Sequence, residues 1–302
     1  MRRFEALAHS LIIDPPLSEA EIAELRVATD PWKALAYLVH RAANGDFAEI
    51  GRIEALMRSY DSALFWSAAT TFAGIAGPWR SVRAIAESFR AERHRYGVQY
   101  YISNMLMYSC NPAHAELLLE LYEAGEDDEI RDHIARNLSL LFERDIGPVF
   151  FGAVESDKYP LDDDDDSSEA VDYAGLGYVE LFAKVRDFEG YRRTVLDARE
   201  AVQAAGIRPG SAVFEGEELD ALRLTKTYAR QMATDSVTAN RAFEGLRLLS
   251  AMVGLSCLGI VNDSGNLSPL GASALTEDLI DSPLISGMAP GRRYFVGHPI
   301  PS

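Results

Sequence analysis

The sequence predicts an all-α fold, an irregular α-solenoid of helical hairpins with a small C-terminal β-hairpin. Three observations predict it. Apolar residues recur at helical spacing through most of the 302 positions. Capping residues, prolines and glycines punctuate that pattern every few turns, leaving short connections. Similar stretches also recur: Asp30-Pro31-Trp32-Lys33-Ala34-Leu35 is echoed by Gly77-Pro78-Trp79-Arg80-Ser81-Val82, 47 positions on, and Pro112 follows 34 later. Each copy places a small residue three after the proline (Ala34, Ser81, Ala115) and an aliphatic seven after it (Leu38, Ile85, Leu119). Periods of roughly 34–47 residues belong to stacked helical hairpins, which bury their apolar stripes only against neighbours.

Ser18 followed by Glu21 has capping-box spacing and opens a helix over 18–28. Asp30-Pro31 is an N-cap with proline at the first helical position, and Gly45 can end that helix. Asp61 caps an apolar run over 63–75, and Gly77-Pro78 opens another helix. Residues 94–108 are rich in Tyr and Met. Tyr101, Met105 and Tyr108 share one face and Tyr96 and Tyr100 another; one set is expected to be core and the other a surface ridge. Asn111-Pro112 opens the next helix and Gly125 closes it. Leu117, Leu118 and Leu121 form its stripe, and a second helix follows with Ile134, Ala135, Leu138 and Leu141.

This last pair resembles HEAT-type repeats: an acidic turn at 126–129, then Ile130-Arg131, then Ala135 and Leu138. The resemblance implies an acidic residue and Arg131 that tie successive turns together. It covers about one unit closely and 18–150 loosely. Beyond it, 155–172 reads as a solvated loop, because Pro160 and seven acidic residues between Asp162 and Asp172 cannot bury a face. Helix resumes at 178–185 and at 191–205, ended by Gly206 and an Arg208-Pro209-Gly210 turn. Further helices are expected over 221–232 and 239–253, the latter with Asp235 before it as a cap. Residues 258–261, a turn at 262–265 and 266–267 read as the hairpin. Ser268-Pro269 starts a short helix to 279, and 286–302 is expected as an extended tail docked on the body. The organisation is thus an N-terminal helical array (1–153), an acidic loop (154–173) and a C-terminal helical region (174–302).

Charge is unevenly spread along this frame. The chain carries a net charge of −17, and residues 101–172 alone hold 19 Asp/Glu against 4 Lys/Arg. Residues 51–100 lean the other way, 7 basic to 4 acidic. A local negative field attracts basic partners and repels nucleic acid and anionic lipid. No run approaches a membrane span, and Glu5 and His9 interrupt any signal-peptide core after the basic start, so a reducing, cytoplasmic location is expected. Cys110 and Cys257 are too few and too distant for a disulfide framework or zinc site.

The aspartate run admits several readings. An EF-hand counted from Asp162 places Ser167 where glycine is required and Tyr173 where a carboxylate is required. A diphosphate-type magnesium motif (Asp162, Asp163, Asp166) matches five consecutive aspartates trivially. A solvated loop and a docking surface for a basic protein remain. The six histidines form no paired metal motif, Gly-x-Ser-x-Gly is absent, and Cys257 has no basic neighbourhood to lower a thiol pKa. No catalytic residue, metal ligand or cofactor is therefore expected. The run Gly265-x-Leu267-Ser268-Pro269-Leu270-Gly271 resembles the wing of winged-helix proteins, but a chain of this charge is repelled by phosphates.

In its acidity, size, helical hairpins and lack of a catalytic motif the chain resembles bacterial immunity proteins that neutralise polymorphic toxins. That resemblance implies an inhibitor covering a basic, nuclease-like toxin domain. The expected partner-binding residues are Glu116, Glu120 and Glu123 on one helix face, Asp127, Asp128, Glu129 and Asp132 around the following turn, and Asp162, Asp163, Asp164, Asp165 and Asp166 in the loop. Two alternatives stand beside it: a solenoid adaptor that binds a peptide or protein, and a helical enzyme whose paired carboxylates hold a metal.

Overall fold

The computed structural model describes residues 16–76, 97–125, 128–142, 188–233, 239–260 and 267–301, with positions 12, 13, 82, 86, 87 and 89. The Gly77-Pro78 start of the expected helix, the second copy of the 30–35 stretch apart from Val82, the loop over 155–172, the helix at 178–185, Tyr96 and the Asp235 cap lie outside them. Most described residues are helical. The helices are α1 (Glu19–Arg26), α2 (Pro31–Ala43), α3 (Gly51–Met57), α4 (Ser62–Ala76), α5 (Val98–Tyr108), α6 (Ala115–Glu123), α7 (Asp128–Phe142), α8 (Phe188–Ala204), α9 (Ala221–Ala233), α10 (Ala239–Val253) and α11 (Pro269–Asp281).

Local chemistry sets most of their starts. Ser18 and Glu21 form the reciprocal capping box of α1. Asp30 accepts from the Lys33 N–H at 3.0 Å ahead of Pro31. Asp61 accepts from Ala63 (3.0 Å) and Leu64 (3.1 Å) at the start of α4. Asn111 caps a 3-10 turn, Pro112–His114, that leads into α6. Hydroxyl capping recurs at Ser268, which accepts from the Gly271 N–H at 3.2 Å to open α11.

Helices near in sequence pack on one another. The α4 helix lies against α2, α3 and α5; α7 lies against α5 and α6; α8 covers α6 and α7; and α9, α10 and α11 pack mutually. The core runs continuously through them, with Leu35, Phe65, Phe72, Met105, Leu118, Leu138, Leu249 and Phe295 fully buried. Of the two aromatic faces, Met105 and Tyr108 are core and Tyr101 is partly buried against it. Tyr100, on the other face, is exposed and stacks flat on the buried His133 ring, centroids 3.6 Å apart. A polar network continues inward from that ring. His133 Nε2 lies 2.8 Å from Asn104 Oδ1, and Asn137 donates to Ser103 (3.0 Å) and Asn104 (3.1 Å), pinning α5 to α7. Arg131 donates to Gly125 O at 2.9 Å, across the turn of its own hairpin.

Two antiparallel hairpins complete the fold. In the first, β1 (Val213–Phe214) pairs with β2 (Glu217–Glu218); in the second, β3 (Tyr294–Phe295) pairs with β4 (His298–Pro299). Each turns through two left-handed residues, Glu215 and Gly216 (φ 52° and 72°) or Val296 and Gly297 (φ 48° and 77°), the signature of a type I′ turn. A C-terminal hairpin is thus present at 294–299. Of the hairpin expected over 258–267, residues 261–266 lie outside the described residues; Leu258–Ile260 winds into a 3-10 turn, closed by the Ile260 N–H on Cys257 O at 3.2 Å, Leu267 is a bridge residue, and the Ser268 N–H donates to Ile260 O at 2.7 Å. The Gly259 carbonyl sits directly against Gly271 of α11. The tail docks on the body but is not extended throughout: a 3-10 turn (Ile285–Gly287) and the second hairpin interrupt it, and Phe295 and Ile300 are buried.

The hairpins lie across helix C-termini. Turn N–H groups of Glu215 and Gly216 donate to Leu140 O (2.6 Å) and Leu141 O (2.9 Å) at the end of α7. Those of Val296 and Gly297 donate to Ala251 O (2.9 Å) and Met252 O (2.7 Å) at the end of α10. These carbonyls have no acceptor role inside their own helix, so the turns satisfy them. Arg293, 1 % exposed, donates from Nη2 to Gly74 O near the end of α4 at 3.0 Å. The first hairpin also carries Glu215, which accepts from the Tyr228 hydroxyl at 2.8 Å, and Gly245 lets that tyrosine cross α10 without a clash.

Candidate functional site

The strongest candidate built from described residues is the outer face of α6. Leu117, Leu118, Leu121 and Tyr122 turn inward, which leaves Glu116, Glu120 and Glu123 exposed one helical turn apart. Both ends of the helix are held. At its start, Ser109 Oγ lies 2.7 Å from His114 Nδ1 within the buried turn that follows left-handed Cys110. At its end, Gln99 donates to Ala124 O (3.0 Å) and Arg131 to Gly125 O, occupying carbonyls the helix leaves open. Tyr122 stacks on Phe188 and packs against Tyr191, fixing α8 alongside.

The α8 helix modifies the charge of this face. Arg199 pairs with Glu116 at 2.8 Å, and both side chains keep solvent access, so the pair is worth at most about 1 kcal/mol. Arg192 and Arg193 are exposed on the same helix beside Glu189, Asp197 and Glu200, so α8 is balanced in charge. Among the described side chains, the negative charge of this face therefore comes from α6. Asp128, Glu129 and Asp132 fall in the first turns of α7, where carboxylates are favoured by the helix dipole; their side chains lie outside the described residues. Asp127 and Asp162, Asp163, Asp164, Asp165 and Asp166 lie outside them altogether. Of the twelve expected residues, the structure brings Glu116, Glu120 and Glu123 onto one face and the backbone of three more next to it.

Burial favours the neutral forms of three groups inside the fold, His133, Cys110 and Tyr108. His133 is pushed down to about 3, first by desolvation and then by the Arg136 charge. Burial lifts the Cys110 thiol to about 11, against the opposing pull of Arg293. Tyr108 is raised well above a free phenol by burial and by Glu244, to which its hydroxyl donates. Among the described residues no three His, Cys, Asp or Glu side chains gather as a metal-ion site, and no helix is long and apolar enough to cross a membrane.

A second surface feature was not singled out from the sequence. Asp220 just before α9, Leu222, Arg223, Lys226, Ala229 and Arg230 on it, and Ile280 of α11 line an open groove of about 570 Å³. Its cations recur at helical spacing and are readable as a basic stripe; charge averaged along the chain hides them. Comparison with family models, with characterised proteins and with solved structures finds no match to this chain.

Proposed function

We propose that this protein is a non-catalytic, cytoplasmic inhibitor of the immunity type, a solenoid-like stack of helical hairpins whose acidic surface neutralises a basic, nuclease-like toxin domain. One observation carries the reading: 19 acidic against 4 basic residues within 101–172. Support comes from Glu116, Glu120 and Glu123, which share an exposed face on a helix anchored at both ends. Carboxylates held on a rigid helix substitute for substrate phosphates with little ordering cost on binding, and their field speeds encounter with a basic partner.

The test begins with the product of an adjacent reading frame or with a pull-down from the native cell. Association with the captured basic domain is then followed by stopped flow at about 0.05 and 0.5 M salt. The reading expects a rate that falls at least tenfold across that range and falls again for Glu120→Lys/Glu123→Lys at low salt. A rate indifferent to both overturns it. The α9–α11 groove favours a second reading, an adaptor that holds an acidic peptide beside Arg223, Lys226 and Arg230. Saturable anisotropy of a labelled acidic peptide, lost in Lys226→Glu, distinguishes that reading from the first.

A further inference from the structure

We infer that residues 115–219 and 221–300 are two copies of one structural unit, three helices closed by a hairpin, and that the long connection between α7 and α8 is an insertion in the first copy. The equivalence begins in the hairpins. Pro209-Gly210-x-x-Val213-Phe214-x-Gly216-x-x-Leu219 and Pro290-Gly291-x-x-Tyr294-Phe295-x-Gly297-x-x-Ile300 align without a gap, 81 positions apart. The backbone follows the same alignment. Gly210 and Gly291 are both left-handed (φ 84° and 76°), as are Glu215 and Val296, and Gly216 and Gly297. Strand register matches residue for residue, Val213 with Glu218 and Tyr294 with Pro299. The closing bond matches too: Leu219 N–H to Ala212 O (2.8 Å), Ile300 N–H to Arg293 O (3.0 Å).

The helices extend the correspondence. Each hairpin turn places two successive N–H groups on two successive carbonyls of a helix, Leu140 and Leu141 in α7 and Ala251 and Met252 in α10. Those helices are both 15 residues long and sit 111 positions apart end to end. In that register Arg136-x-Leu138-Ser139 falls on Arg247-x-Leu249-Ser250, with both leucines and both serines buried. The third helices, α8 and α11, begin at Phe188 and Pro269, again 81 apart, and their buried Val195 and Ala198 fall on buried Thr276 and Leu279. The first helices, α6 and α9, pack on the second and third in both units. In α6 the pattern exposed Glu116, buried Leu117 and Leu118, buried Leu121, exposed Glu123 falls on exposed Arg223, buried Leu224 and Thr225, buried Tyr228, exposed Arg230. At this offset of 107 two exposed glutamates fall on two exposed arginines, while Glu120 falls on Thr227 and buried Leu119 on exposed Lys226.

The change from a 111-residue to an 81-residue offset has one location, between the second and third helices. Residues 143–187 make that connection in the first unit and 254–268 in the second, a difference of 30. The second unit closes with the shorter connection, so the unit does not require the excess, which contains the aspartate run.

The experiment replaces 143–187 with a connection of the second unit's length, once as the 254–268 sequence and once as a 15-residue Gly/Ser linker. At least one variant is expected to melt cooperatively within roughly 5 °C of the parent, with its helical circular dichroism per residue kept. Loss of the cooperative transition in both overturns the insertion. Independently, Gly216→Ala and Gly297→Ala are compared in the intact chain. Each forces alanine into the left-handed region and is expected to raise the unfolding equilibrium constant about tenfold, within threefold of the other. Costs that differ by more than tenfold overturn the equivalence of the units.

Discussion

Arg293 offers the sharpest test of how this fold is held together. Its side chain is 1 % exposed, yet among the described residues it has one hydrogen bond, Nη2 to Gly74 O, while Nε and Nη1 have no acceptor. Burial of a charge costs several kcal/mol even after relaxation. Against this stand a charge-assisted bond worth about 1.5–3 kcal/mol and a place at the C-terminal end of α4, worth up to about 2 kcal/mol. The polar terms nearly cancel, and desolvation already pulls the guanidinium below its usual value. What remains is packing: a three-carbon stem at about 0.8 kcal/mol per methylene, plus the cavity its loss leaves. Arg293→Met keeps the volume and should lie within about 1 kcal/mol of the parent. Arg293→Ala should lose about 3 kcal/mol. Urea unfolding at pH 7.5 measures both. If methionine costs as much as alanine, or more than about 2 kcal/mol, the charge itself holds the tail and the reasoning fails.

Gly271→Ala should cost about 2–3 kcal/mol, because its new Cβ would meet the Gly259 carbonyl oxygen at 2.1 Å; Gly287→Ala, with open space around it, should stay within about 0.5 kcal/mol, and paired thermal melts compare them. His133, held down at about 3 in the folded state against an ordinary 6.5, is neutral where the unfolded chain binds a proton, so its share of stability is complete above about pH 6.5 and is lost as pH falls toward 3. That share amounts to about 2 kcal/mol lost between pH 7.5 and 5, and His133→Gln should remove that part of the pH dependence in urea titrations at the two values. Leu138→Ala, in the buried face of α7, should cost about 2–5 kcal/mol by chemical denaturation. Glu120→Lys/Glu123→Lys, on the exposed face, should leave the same denaturation midpoint nearly unchanged.

Helix starts were legible because they are decided within four residues. Ser18 with Glu21, Asp30 with Pro31, Asp61, Asn111 with Pro112 and Ser268 with Pro269 all perform the capping their spacing implies. The hairpins were not legible by periodicity, since two-residue strands have none; their signal was an X-Gly pair directly after two large apolar residues, repeated at 81 positions. The apolar Leu258–Ile260 fits either a strand or a helical turn by its sequence alone, and it forms the turn, packed against Gly271. In the candidate site, exposure of Glu116, Glu120 and Glu123 followed from the leucines between them. The Arg199 partner, 83 positions away, is a product of packing that no local pattern encodes. The basic stripe on α9 was written plainly in the chain and masked by the acidic excess elsewhere.

The second hairpin also bears on how the molecule comes apart. It bonds to the end of α10, sends Arg293 to the end of α4, lays the His298 ring on Gly45 beyond α2, and joins the first hairpin through Gly291, which accepts from Ala212 and donates to Leu219. Helices separated by more than 200 positions therefore share one clasp. Amide protons in the last turns of α4 and α10 should exchange with solvent in a single concerted opening, together with those of Val296 and Gly297, and detachment of the tail is the event that links them.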